Sequence, residues 1–413
     1  MFDVVVVGGG LAGLSAALRL AQQGRRVAVV AKGLGATQLT GGTIDVLGYA
    51  PERVDNPRRR IPELVREQPD HPYARLDLDL VERSLSWFRS AVEPLRYAGG
   101  LDENVLLPSA AGAVRPTALA PASMSDGNLR RVPRLLIVGF RALKDFYPAY
   151  VADNLRHAGI EARASVLEAN PRSGEADVSG LVYAAALDAD AAFRRVLADE
   201  LAAVVEPGET VGLPAVLGVD EAPAVWRELQ ERLGAPVFEI PTLPPSVPGR
   251  RVHRLLAAAL RDAGGRMVVG AVAVGAETGN GRADALVVQD AARRRPYRAH
   301  SFVLATGGVA SGGLELELDG TVREPVLDLP VAGMPDGAPF SPRYLDPQAL
   351  APVGLAVDEE LRPVDADGRV VYENVYAAGA MLAAAEPWRE KSGDGISLAS
   401  GIRVTEAIVE RLS

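Results

Sequence analysis

The sequence predicts an α/β fold in which one domain is assembled from both ends of the chain around an inserted α/β cap, and three observations predict it. The chain opens on an apolar strand from Phe2 to Val7, a glycine turn, a helix from Leu11 to Gln23 and a second strand from Arg26 to Ala31. Apolar-periodic segments return from about Arg250 to Leu304 and again from Val375 to Arg411. Between them lies a long stretch with strands and helices of its own, closed by Pro241, Pro244, Pro245 and Pro248. The outer parts therefore form one Rossmann-like layer and the middle part a cap.

In chain order, residues 1–50 carry the opening strand-turn-helix-strand unit, with Gly24 as the helix C-cap. Residues 51–245 form the inserted cap domain. It is expected to contain strand Leu135 to Val138, helix Lys144 to His157, helix Ala191 to Val205, strand Ala215 to Gly218, helix Ala222 to Leu233 and strand Val237 to Ile240. Residues 246–313 return to the first domain through a helix ending at Ala263, the Gly264-Gly265 break and strand Met267 to Val269. Short strands around Val272 and Leu286-Val287 follow, then the apolar strand Ser301 to Leu304. Residues 314–351 form a further cap segment. Residues 352–413 close the first domain with strand Val375 to Ala378, a turn at Gly379 and a helix from Ile396 to Arg411.

At 413 residues the chain exceeds the roughly 250–300 at which one core stops growing, so two packed domains are expected. A formal net charge of -9 argues against binding nucleic acid or an anionic bilayer directly, since both need a positive face. The dense basic runs Arg58-Arg59-Arg60 and Arg293-Arg294-Arg295 read as solvated loops. Cysteine is absent, which excludes a thiolate iron-sulfur cluster, a disulfide and a Cys-based zinc site, and no metal is expected. The apolar start lacks a basic leader and contains Asp3 and a glycine turn, so it reads as strand and helix rather than a signal peptide. Nowhere do about 18 uninterrupted apolar residues occur, so no membrane span is expected.

Gly8-x-Gly10-x-x-Gly13 follows a strand and opens a helix, the context that gives this pattern meaning. Gly8 permits the tight turn, Gly10 lets a phosphate approach the backbone, and Gly13 lets helix and strand pack closely. Amides at Leu11, Ala12 and Gly13 would then hold the anion, aided by the helix dipole. An acidic residue at the end of the second strand normally holds a ribose hydroxyl pair. Here Ala31 and Lys32 stand there, which favours a nucleotide without adenosine, such as flavin mononucleotide (FMN), and Lys32 is a candidate phosphate contact. Flavin adenine dinucleotide (FAD) is the alternative.

The segments Phe302 to Gly308 (FVLATGG) and Asn374 to Ala380 (NVYAAGA) resemble the second and third fingerprints of the large flavoproteins with two dinucleotide domains. The later fingerprint usually ends in Gly-Asp, and Ala380 replaces the acid here. More specific segments are spread along the chain in one order. They are FDVVVVGGGLAGL, GGTIDVLG (Gly41 to Gly48), HPY (His71 to Tyr73), LLIVGF, PTLPPSVPGRR (Pro241 to Arg251), ATGGVASGGL (Ala305 to Leu314) and REP (Arg323 to Pro325). Together they resemble the B subunits of the anaerobic glycerol-3-phosphate dehydrogenases.

That resemblance implies a complex with a second flavoprotein, the A component, and an iron-sulfur protein, the C component. The complex would oxidise sn-glycerol 3-phosphate to dihydroxyacetone phosphate and deliver electrons to quinone. The resemblance also implies FMN in the B component and a cytoplasmic location, held at the inner face of the membrane through partner subunits. Two other readings stay open: an assembly partner whose companion does the chemistry, and a free-standing flavin reductase.

The flavin is expected to meet Gly8, Gly10, Leu11, Ala12, Gly13, Lys32, Gly41, Gly42, Thr43, Thr306, Gly307, Gly379, Gly393, Gly395 and Ile396. Amides in the stretch Ser392 to Ser397 are candidates for stabilising negative charge on the reduced ring. His71 and Asp45 are candidate bases, and Arg251 and Arg323 candidate clamps for a substrate phosphate.

Overall fold

The computed structural model describes residues 1–291 and 293–412, and two sheets organise them. The chain starts with strand β1 (Phe2–Val7), helix α1 (Leu11–Gln22) and strand β2 (Val27–Ala31). The insertion supplies β3 (Arg134–Phe140), β4 (Glu161–Leu167), β5 (Thr210–Pro214), α2 (Ala222–Leu233) and β6 (Val237–Ile240). The chain then returns through α3 (Val247–Asp262), β7 (Arg266–Val269), β8 (Ala271–Gly279), β9 (Arg282–Asp290) and β10 (Arg293–Leu304). It closes with β11 (Val375–Ala377) and α4 (Gly393–Leu412).

The first sheet has the order β7-β2-β1-β10-β9-β8, with β11 also pairing with β10. Strand β1 lies at its centre between two parallel partners, with Val5 opposite Ala28 on one side and Phe302 on the other. Helices cover both faces of such a strand, which is why it reads as an unbroken apolar run and why Val4, Val5 and Val6 are fully buried. Strand β10 serves two layers. Its first half pairs antiparallel with β9, and its second half pairs parallel with β1 and β11 and delivers the turn at Ala305 to Gly308 beside the glycine turn.

The second sheet, β6-β5-β3-β4, is wholly parallel and has its own core, including Leu136, Ile137, Val211, Phe238 and Tyr183. Gly212 on β5 makes room for a neighbour, since a Cβ there would stand 2.7 Å from Phe238 Cζ.

Several elements differ from expectation. The apolar run near residue 215 forms its strand earlier, at β5, because Val211 to Pro214 pair with β6; Leu217 lies beyond it, its amide donating to Glu239. Strand β4 gives no clear signal in the sequence because, at the sheet edge, it alternates buried and open positions among charged residues. The helices Pro57–Glu67 and Leu78–Ala91 lie within the stretch assigned to the cap, yet Ile61, Leu64, Leu80, Leu85 and Phe88 join the core of the first domain. The second core gathers from about Leu135 to Ile240.

A buried ion pair joins the two domains. Arg251 on α3 and Glu239 on β6 are both almost fully enclosed, and the guanidinium meets the carboxylate through two bonds of 2.5 and 2.8 Å. Arg251 Nε donates to the Gly218 carbonyl, and Glu239 also accepts from Ser123 Oγ and the Leu217 amide. Each charge is thus compensated by its neighbours, and removing one strands the other. Glu239→Gln is expected to destabilise the chain by about 3–5 kcal/mol, whereas replacing both residues by Leu and Met costs much less. Denaturant midpoints of the two variants check this, and equal losses would contradict it.

Candidate functional site

The glycine turn is packed from below and open in front. Gly8 has φ 118°, and a Cβ there would lie 2.1 Å from the Ala305 carbonyl oxygen. A Cβ on Gly13 would lie 2.1 Å from the Gly8 carbonyl oxygen, so strand end and helix touch through backbone alone. Gly10, by contrast, faces open space, and it precedes α1 without a side-chain cap. The first-turn amides at Leu11, Ala12 and Gly13 have no acceptor within the helix and point the positive end of its dipole outward.

The loop after β2 lies directly on this turn. Gly35 has φ 78°, and a Cβ there would come within 2.3 Å of the Gly9 carbonyl oxygen. Two residues on, the Thr37 hydroxyl is buried and has no hydrogen-bond partner among the described residues. A buried hydroxyl without a partner costs free energy unless a ligand supplies one. An uncapped helix end, clear space ahead of Gly10 and an orphaned hydroxyl beside the turn together fit the phosphates of a dinucleotide. Thr37 is absent from the residues that the sequence suggested; the signal available was a hydroxyl two residues after a turn glycine in the loop following β2.

Helix α4 is drawn close to α1 by small residues. A Cβ on Gly401 would stand 2.8 Å from the Ala12 carbonyl oxygen, and one on Gly379 would stand 2.8 Å from Ala12 Cβ. The Gly379 amide donates to Ser400 Oγ at 2.8 Å. Gly379 and the start of α4 therefore converge on the helix end that carries the glycine turn. Thr306 and Gly307 lie at the end of β10, where Gly8 abuts Ala305; Thr306 Oγ1 lies 3.0 Å from Met381 Sδ, and Gly307 has φ 86°.

Asp45 is the hub of the contacts at the start of α4. Its carboxylate accepts from Arg115 Nη2 at 2.5 Å and from Thr43 Oγ1 at 3.3 Å. Its amide donates to Asp394 Oδ2 at 3.1 Å, and its carbonyl accepts from the Gly395 amide at 2.9 Å. Three distant segments, the loop at Gly41 to Gly48, the hairpin strand Val114–Thr117 and the start of α4, are tied together by one residue. Tyr97 Oη donates to the Gly42 carbonyl, which anchors the same loop.

Around Asp45 the electrostatics are unusual. Burial, and then the neighbouring Asp45 charge, push the Asp394 carboxyl well above the ordinary carboxylate range. Burial and the nearby Arg115 lower the Lys391 ammonium, while Asp45 raises Arg115. Neither Arg115 nor Lys391 is among the site residues that the sequence suggests, nor is this role for Asp394, because Arg115 stands far from the other two along the chain and shares no motif with them.

Other candidates stand elsewhere or are already engaged. His71 is fully buried; its Nδ1 accepts from the Tyr73 amide and its Nε2 meets Glu390 Oε2 at 3.2 Å, so it holds a loop together and has no nitrogen left for a substrate. Arg251 is consumed by Glu239 and Gly218 as described. Arg323 lies in an exposed two-stranded hairpin, paired with Glu315 at 2.5 Å and Glu317 at 2.7 Å. Lys32 is exposed at the end of β2. The amides of Gly395 and Ile396 are taken by the carbonyls of Asp45 and Ser392, which leaves Gly393 and Asp394 as the free amide positions at that helix start among the described residues. Two cavities, of about 330 and 390 Å³, open away from the glycine turn, one against the start of α2 and one between Pro72 and Leu382.

A family model described as "FAD binding domain" matches residues 3–396. A Halobacterium salinarum protein named as the probable B subunit of anaerobic glycerol-3-phosphate dehydrogenase is 36% identical, over 99% of this chain and 98% of its own length. The chain belongs to the B-subunit family of the anaerobic glycerol-3-phosphate dehydrogenases. A Yersinia pseudotuberculosis protein named as the B subunit of the same enzyme is 34% identical, over 100% of this chain and 99% of its own length.

Among solved structures, E. coli quinol fumarate reductase has a TM-score of 0.47 at 9% identity, covering 99% of this chain and 70% of that one. The 3-ketosteroid delta1-dehydrogenase of Sterolibacterium denitrificans has a TM-score of 0.44 at 12% identity, covering 99% of each. Likeness at that level carries no functional argument. For this member of the glycerol-3-phosphate dehydrogenase B-subunit family the matching model indicates FAD, the alternative cofactor of the sequence reading; FMN, favoured there by the missing ribose acid, has no support from it. Among the described residues no helix is long and apolar enough to cross a membrane.

The raised Asp394 carboxyl has a consequence for stability. The folded chain holds its proton more tightly than the unfolded chain, so this group favours folding at acid pH. That contribution is lost as pH rises from the ordinary carboxylate value through the raised one. Asp394→Asn removes the loss, so its melting temperature is expected to gain on the wild type between about pH 5 and about pH 8. A constant difference across that range would contradict the assignment.

Proposed function

We propose that this chain is an FAD-bearing, electron-transferring subunit of a glycerol-3-phosphate dehydrogenase that works with partner subunits. The observation that carries the proposal is the uncapped start of α1 on the open side of Gly10, with Gly379 and α4 packed against the same helix and the first turn of α4 bonded to Asp45. Near-full-length similarity to proteins named as the B subunit of that enzyme supports the same reading.

The chain's own residues define the work. The amides of Leu11, Ala12 and Gly13 and the hydroxyl of Thr37 would hold the pyrophosphate. The adenosine ribose would lie near Ala31 and Lys32 without a carboxylate partner, contacting backbone instead. Thr43, Gly379 and the start of α4 would place the ring against Asp45 and Asp394. When bound there, FAD would supply a hydride acceptor for the carbon-bound hydrogen of the alcohol.

Asp394 is the group suited to take the hydroxyl proton. A carboxyl raised toward neutrality is a competent base at physiological pH and can release the proton afterwards. Asp45 does not serve as a free base, because its carboxylate is committed to Arg115. Its role is to hold Asp394 and Arg115 in register.

The chain contains no cysteine, so it supplies no thiolate ligand for an iron-sulfur relay. The two electrons would pass to a partner carrying such a centre and then to quinone, and the membrane would be met through partners. A second flavoprotein, the A component, and an iron-sulfur protein, the C component, are the proposed companions.

The test is anaerobic mixing of the FAD-loaded chain with sn-glycerol 3-phosphate. Loss of the visible flavin band within seconds is expected, with Asp394→Asn slowing it by about 10²–10⁴-fold. A spectrum that substrate leaves unchanged while a chemical reductant bleaches it would reassign the chain as an assembly partner.

A further inference from the structure

We infer that Arg115 and Lys391 form the seat for the anionic group of a small phosphate monoester, beside Asp394 and across the junction held by Asp45. This inference rests on the proposed oxidation site and names what that site recognises.

Two side chains at the junction have unused donors. Arg115 gives Nη2 to Asp45, but its Nε is buried and has no hydrogen-bond partner among the described residues. Its Nη1 lies beside Gly41, where a Cβ would stand 3.2 Å from it, so only a glycine lets the loop pack this close to the guanidinium. Lys391 makes neither an ion pair nor a side-chain hydrogen bond among the described residues, although it feels the charges of Arg115, Asp45 and Asp394.

The lysine is nevertheless held in place. It adopts a left-handed backbone, φ 53°, which costs a non-glycine residue free energy and persists only where its surroundings demand it. The carbonyl of Glu390, just before it, accepts from the amides of Gly48 and Tyr49 at 2.7 and 3.0 Å. The Glu390 carboxylate is fixed by His71 and Ser392. A Cβ on Gly48 would stand 2.8 Å from Lys391 Cβ, so the stem of the lysine already fills that space. The backbone is pinned and the head group is left free. It is one of only three lysines in a chain that otherwise uses arginine, so it is no ordinary surface cation of this protein.

The charge balance selects the ligand. Asp45 engages Arg115 through Nη2 alone, so the remaining guanidinium donor at Nε and the Lys391 ammonium stay without an anionic partner among the described residues. A phosphate monoester accepts a forked donor from the guanidinium and a point charge from the ammonium, using both unused groups together. An uncharged polyol would use neither. The carbon next to the esterified one would then lie toward Asp394, which is where an adjacent secondary hydroxyl must give up its proton.

Calorimetric titration of the FAD-loaded chain with sn-glycerol 3-phosphate and, separately, with glycerol tests the seat. The wild type is expected to bind the phosphate ester and to show no measurable heat with glycerol. Lys391→Met, which removes no intramolecular partner, is expected to weaken the ester at least about tenfold while leaving the flavin spectrum and melting temperature unchanged. Arg115→Lys keeps a charge for Asp45 but loses the fork, and is expected to weaken it as well. Ester affinity unchanged in both variants, or equal binding of glycerol, overturns the seat. A wild-type chain that retains no flavin would sink the proposed function, and the same titrations on that chain would still decide the seat.

Discussion

Helix α1 begins without a side-chain cap, and the surrounding backbone holds that end firmly in place. The Gly8 peptide is wedged between the Ala305 carbonyl and Gly13 with no space for a side chain on either. This fixes the angle at which β1 enters α1 and so the direction in which the free amides point. The turn glycines of the neighbouring loops then follow: Gly35 lies on Gly9, and Gly379 lies on Ala12. A side chain at any of these positions would force apart elements whose contact forms the cradle.

From that constraint the junction at Asp45 follows. Helix α4 can reach the cradle only because Gly401 lets it lie against the Ala12 carbonyl, and its first turn then meets the loop at Asp45. The hairpin strand Val114–Thr117, which precedes the inserted domain, enters the same place through Arg115, while the core of the inserted domain is secured to α3 by the Arg251–Glu239 pair. The two ion pairs differ in consequence. Glu239 and the Gly218 carbonyl between them take up Nη1, Nη2 and Nε of Arg251, which suits a structural clasp, whereas Arg115 keeps a donor unspent and Asp394 keeps a proton in play.

Much of the first domain was legible in the sequence, because its signals are local. A fully apolar strand, a three-glycine turn and a small-residue helix follow one another in β1 and α1, and the second and third flavoprotein segments sit at the ends of β10 and β11. The inserted domain was less legible where periodicity is weak, as in β4, and where an apolar run outlasts its strand, as after β5. The site divided along the same line. Glycines in turns announced themselves, whereas Arg115 meets Lys391 and Asp394 only in space, from a distant part of the chain. His71, Arg251 and Arg323 looked chemical because the family segments contain them, yet partners within reach satisfy each of them. The missing ribose acid pointed to FMN by a sound local argument; the family model, which takes in the whole cradle, points to FAD.

Function in this chain depends on a dinucleotide seated against α1 and running to the Asp45 junction. Mass spectrometry of the small molecule released when the purified chain is denatured, quantified against protein, measures this without intermediate steps. FAD is expected, approaching one per chain and lost when Gly13 is replaced by a bulkier residue. FMN alone, or no nucleotide from a correctly folded chain, would contradict it.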